Sequence, residues 1–89
     1  MLKITKIQES GSDVLLKLEG KIMAQWAALL DGECRSFLRQ KKAVCLDCSH
    51  VDFIDQRGVE VVRNFPSTQV TLMSAPGFVM ELLQIGGQS

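Results

Sequence analysis

"AVCLDCSHVDFIDQRGVEVV", residues 43–62, decides how this chain is read. It opens nearly continuously apolar from Ala43 to Leu46, the pattern of a strand covered on both faces, hence central in a sheet and parallel to a neighbour. Further on, Val59, Val62 and Phe65 share one helical face while Arg57, Glu60 and Asn64 share another. Gly58 to Phe65 is therefore expected to form an amphipathic helix stopped by Pro66. The intervening "HVDFIDQRG" reads as a loop at the carboxyl end of the strand, where α/β sheets favour ligands and partners. Asp55 is placed to cap the helix, with a charge that suits its N-terminus. Gly58 in the first turn costs about 1 kcal/mol relative to alanine, which a close backbone approach would explain. Arg57 opposes the helix dipole, which points to a role outside local helix stability.

Outward from this stretch the periodicities alternate. Towards the N-terminus, "DVLLKLEG" sets Val14, Leu16 and Leu18 against Leu15, Lys17 and Glu19 and predicts a strand with one buried face. The weaker strand "LKITKIQES" precedes it across the hairpin loop "SGSD", where Gly11 serves the turn. Trp26, Leu30, Cys34, Phe37 and Leu38 recur at intervals of three and four and predict a helix, with Trp26 in the core. Arg35, Arg39, Lys41 and Lys42 gather at its C-terminal end, where cations suit the dipole, and the run Arg39 to Lys42 is expected to be solvated. Towards the C-terminus, "QVTLMSA" predicts a strand. A last helix is expected from Pro76 to Gly86-Gly87, burying Phe78, Val79, Leu82 and Leu83, with "GGQS" as a frayed tail. The order β-β-α-β-α-β-α predicts a small α/β layer: a mixed, mostly parallel sheet with packed helices.

Length and composition bound the rest. Eighty-nine residues make a single domain, 1–89 with its core at about 2–86. A chain of this size buries only about 60–65% of the surface its unfolded form exposes. It is expected to fold alone or as a small oligomer, a homodimer included. Ten basic and ten acidic residues cancel, so there is no electrostatic footprint for nucleic acid or an acidic membrane. With no apolar run of signal-peptide or membrane-spanning length, the expected location is the cytoplasm.

Cys34, Cys45, Cys48 and His50 make an arithmetic Cys3His set, but strand alternation points Cys45 and Cys48 to opposite faces and Cys34 lies on a core stripe. Buried thiols at Cys34 and Cys45 are the plainer expectation, and no metal or cofactor is expected. "CLDC" matches Cys-x-x-Cys but lies in a strand, not at the helix N-terminus that lowers a redox thiol's pKa. Met23, Met73 and Met80 read as packing residues. No nucleophile is arranged beside His50 and no phosphate loop occurs, so no enzyme activity is expected.

From about Leu2 to Gly86 the chain resembles a STAS domain, the module of anti-sigma factor antagonists and of the cytoplasmic tails of sulfate transporters. The resemblance rests on "VLLKLEGKI", "AVCLDCSHVDFIDQRGVEVV" and "VTLMSAPGFVMELLQIGG". In family members that act as switches, a serine or threonine after the aspartate is phosphorylated by an anti-sigma factor kinase. Here that position is Gln56, followed by Arg57, and neither carries a hydroxyl. The family's acidic residue near the phosphorylation site is replaced by Met23 in "GKIM", which also leaves the first helix without a good N-cap. The resemblance implies a protein-interaction module with a degenerate phosphorylation site. Its expected face is Asp55, Gln56, Arg57, Gly58, Glu60 and Asn64, flanked by Lys21 and Met23. The implied partner is a kinase-like anti-sigma factor or, as alternatives, the ATPase of a transport system or a small regulatory ligand.

Overall fold

The computed structural model describes residues 1–87. A hairpin opens the fold: β1 (Leu2–Glu9) and β2 (Asp13–Ile22) pair antiparallel. In its turn, the Ser10 hydroxyl oxygen accepts from the amides of Ser12 and Asp13 at 3.3 and 3.1 Å. Helix α1 (Ala24–Arg39) then leads to β3 (Ala43–Ile54), α2 (Gln56–Arg63) to β4 (Val70–Met73), and α3 (Gly77–Gly87) follows. The strands lie in the order β1-β2-β3-β4, with β2–β3 and β3–β4 parallel. The α/β order read from the sequence is the observed one.

Both crossovers step the same way across the sheet, so a common right hand carries α1 and α2 onto the same face. Helix α2 lies between α1 and α3. The core forms between that layer and the inward residues of the strands: Val14, Leu16 and Leu18, Val44, Leu46 and Cys48, and Val70, against Ala27, Leu30 and Cys34 of α1 and Val79 of α3. Trp26, Phe37 and Leu38 are partly buried against it.

This arrangement corrects the expectation that β3 is covered on both faces. β3 is central, but the strand order never reverses, so no helix is delivered to the second face; Cys45 and Asp47 on that side are half-buried. Cys48, not Cys45, joins Cys34 as a fully buried thiol.

The stretch read as a loop, "HVDFI", is strand. Two irregularities in the β2–β3 register add a residue to β3 each time, between the pairs Lys17↔Asp47 and Glu19↔His50 and between Gly20↔Val51 and Lys21↔Phe53. The inward residues Cys48, Val51 and Ile54 therefore follow one another every three positions rather than every two. Alternation is lost while the strand continues.

Two further expectations change. Phe78 and Leu82 are 42% and 40% exposed, so α3 packs through Val79 and Leu83. Lys42 is not solvated: its side chain is 14% exposed and pairs with Glu9, which also accepts from Lys6 at 2.7 Å. Both lysines hold the Glu9 carboxyl down at about 2. Gly86 and Gly87 belong to α3, while the last two residues of the expected frayed tail lie outside the described residues.

Candidate functional site

The carboxyl ends of β2 and β3 meet the first turns of α1 and α2 at one corner, and Asp55 ties them together. It is the N-cap of α2: extended in backbone, with Oδ1 accepting from the Gly58 amide at 2.7 Å. Its Oδ2 accepts from the Ala24 amide at 3.1 Å, the first residue of α1. Met23, the N-cap position of α1, makes no side-chain capping bond. The cap that α1 lacks in its own sequence is thus supplied from the next crossover, and a single carboxylate serves the orphan amides of two helices.

The geometry has a local cost and a steric condition. Ala24 holds φ 49, the left-handed region that an alanine adopts at the expense of about 1 kcal/mol or more. This conformation accompanies the amide's contact with Asp55 and the Met23 carbonyl's contact with the Trp26 amide at 2.9 Å. Gly58 meets the expectation of a close approach: a Cβ there would lie 2.4 Å from the Ile22 carbonyl oxygen and 2.8 Å from Ile54 Cγ1. That same carbonyl accepts from the Asp55 amide at 3.2 Å. Gly58 lets α2 seat against the end of β2, which holds Asp55 within reach of Ala24.

Around this half-buried clasp the other residues face water. Gln56, Arg57, Glu60 and Asn64 are exposed along one side of α2, Lys21 is exposed at the end of β2, and Met23 is half-buried. Lys21 reaches Asp52 at 3.3 Å and lies 5.8 Å from the centre of the Phe53 ring. Asp52 and Phe53 lie in a stretch whose sequence has the pattern of a loop, and the strand pairing Lys21↔Phe53 brings them to the corner. Phe53 is 42% exposed, an aromatic ring among charges. Asp55 and Gly58 therefore build the corner, while Gln56, Arg57, Glu60, Lys21 and Phe53 present its surface; Asn64, the C-cap of α2, stands at the helix's far end.

The corner's shape bears on what it can hold. An open α/β sheet makes its ligand crevice where the strand order reverses. Among the described residues the order β1-β2-β3-β4 has no reversal, and surface concavities lie beside Cys45 and Met73, beside Phe65 and Leu83, and along the outer side of α1.

The four groups of the Cys3His set do not converge. Cys34 and Cys48 are in the core, Cys45 is on the opposite face of the sheet, and the exposed His50 ring has Nδ1 3.0 Å from Ser49 Oγ. Burial pushes the Cys34 thiol up to about 12 and the Cys48 thiol to about 11, with nearby acidic residues adding to the rise. Among the described residues, no helix is long and apolar enough to cross a membrane.

The sequence model of the STAS domain family matches residues 5–88. Among solved structures, the anti-sigma factor antagonist SpoIIAA in its unphosphorylated form matches with a TM-score of 0.71. The likeness covers 94% of this chain and 84% of that one at 14% identity, a likeness of fold. No curated protein matches the chain in sequence.

Proposed function

This chain belongs to the STAS domain family, and within that family we propose that it is a non-catalytic protein-interaction module that binds a kinase-like anti-sigma factor through the α2 corner, without a phosphorylation switch. The observation that carries the reading is Gln56. It is the first residue of α2, exposed and immediately after the cap, and it has no hydroxyl to accept a phosphoryl group. A phosphoryl group there would bring about −1.5 to −2 charges to the helix N-terminus. Gln56 and Arg57 keep that charge fixed, so binding through this face is constitutive. Arg57 offers a planar cation that a partner carboxylate or phosphate accepts through two hydrogen bonds. The exposed Phe53 supplies an apolar contact of the kind that anchors interfaces.

The test is affinity co-purification of the tagged chain from extracts of its own source cells, beside an Arg57→Glu, Glu60→Arg double variant. Capture of a kinase-like protein by the parent, with loss in the variant, supports the reading. Equal capture by both removes the α2 face from the interface. Capture of a transport ATPase would replace the anti-sigma partner with a transport one. Intact mass spectrometry after incubation with the captured kinase and ATP should show no added phosphate; phosphate on Ser49, Ser67 or Thr68 would overturn the claim that no switch exists.

A further inference from the structure

The sheet face opposite the helices carries a second chemical feature, independent of the corner. Gln8, Leu15, Cys45 and Thr71 form one cross-strand row there, through the pairs Gln8↔Leu15, Leu15↔Cys45 and Cys45↔Thr71. Met73, two residues beyond Thr71 on β4, shares that face by strand alternation. Its Sδ lies 3.6 Å from Cys45 Sγ, diagonally across the β3–β4 pair. Both sulfurs line a shallow concavity of about 280 Å³ whose wall includes Gln8, Ser10, Asp13 and Leu15. Met73 is 41% exposed and Cys45 half-buried, so both are accessible from solvent.

We propose that Cys45 and Met73 form a two-sulfur site for a soft monovalent cation of the Cu(I) or Ag(I) type. Thiolate and thioether are the protein ligands that select such ions. Two sulfurs 3.6 Å apart on one face reach a single ion together after a small rotation of either side chain. The concavity leaves room for a further donor in front of the pair. Both ligands stand on hydrogen-bonded strands, which hold their separation more closely than loops would. A closed four-ligand zinc site is not available here, because Cys34 and Cys48 are sealed in the core on the other side. Nor does the pair suit disulfide chemistry: Cys34 and Cys48 are sealed in the core on the other side of the sheet, so Cys45 has no thiol partner within reach. A soft cation instead takes the place of the thiol proton, which is released to solvent.

Ag(I), which needs no reductant to stay monovalent, is the probe. The reduced protein is titrated with it and read by native mass spectrometry and calorimetry, with circular dichroism to follow the fold. One equivalent should bind with the fold retained, Cys45→Ser should abolish it, and Met73→Leu should weaken it at least tenfold. Absence of binding in the parent, retention of the equivalent by Cys45→Ser, or parent-like affinity in Met73→Leu would each overturn the proposal, the last by reducing it to a single-thiol adduct.

Discussion

Replacing Asp55 with alanine removes both acceptors of the corner at once. Hydrogen bonds to charged groups contribute about 1.5–3 kcal/mol each, and loss of an N-cap alone costs about 0.5–2 kcal/mol. Asp55 is half-buried, so water partly replaces both bonds. A loss of about 3 kcal/mol is expected, against a total stability of about 4–13 kcal/mol for a domain of this length. At about 4–8 °C for each kcal/mol, the melting temperature falls by about 12–24 °C. Asp55→Asn keeps one acceptor but turns an amide NH2 towards the other donor, and should lose about half as much. Urea unfolding at constant slope gives the energies, and amide hydrogen exchange separates the two bonds. The Ala24 and Gly58 amides should both exchange faster in Asp55→Ala. If Gly58 alone responds, or if the loss stays below about 1 kcal/mol, Asp55 is an ordinary single-helix cap and the shared-cap reasoning fails.

Gly58→Ala drives a methyl into the Ile22 carbonyl and should cost about 2–3 kcal/mol by overpacking, read as a shift of the urea midpoint; a neutral result would show that α2 can slide. Ala24→Gly relieves the left-handed strain at φ 49 and should raise stability by up to about 1 kcal/mol despite glycine's greater freedom when unfolded, measured the same way. The folded-state pKa of Glu9 lies near 2 against an ordinary 4.5, so its contribution is present above about pH 4.5 and is lost as pH falls towards 2. Glu9→Gln should flatten that part of the stability–pH curve, and an unchanged acid limb would discount the Lys42 and Lys6 contacts. Cys45 should react first with a thiol reagent at neutral pH, with Cys34 and Cys48 reacting only as the chain unfolds; three equal rates would contradict the burial of the latter pair.

The fold was legible where residues obey a single period. Val14, Leu16 and Leu18 announce one buried strand face by alternation, and Leu30 and Cys34 announce the helix stripe. Legibility ended where the backbone breaks the period: the irregularities in β3 turn a two-residue repeat into a three-residue one, so the outer half of the longest strand reads as loop. Coverage of the second face was misjudged because a short apolar run records burial without recording how many faces are buried. Ala43 is exposed and Cys45 half-buried, and only Val44 and Leu46 carry the run inward. At the corner, the capping role of Asp55 and the steric role of Gly58 follow from local rules. Its bond to Ala24 joins residues 31 positions apart, and nothing in "IMAQ" marks the left-handed alanine.

That long-range bond also bears on the proposed absence of a switch at Gln56. A carboxylate engaged by two backbone amides has each oxygen already committed to holding helix starts in register. The corner is therefore assembled by main-chain donors, and its geometry is independent of the identity of the next residue, whose side chain points to solvent. A hydroxyl in place of the Gln56 amide is expected to leave the clasp intact. The scaffold thus does not depend on the side chain at position 56, and the proposed absence of a switch there leaves the surface in place. A Gln56→Ser variant should consequently fold with parent stability, within about 0.5 kcal/mol as for other surface substitutions. A larger loss would mean that Gln56 takes part in the clasp and that scaffold and switch are not separable here.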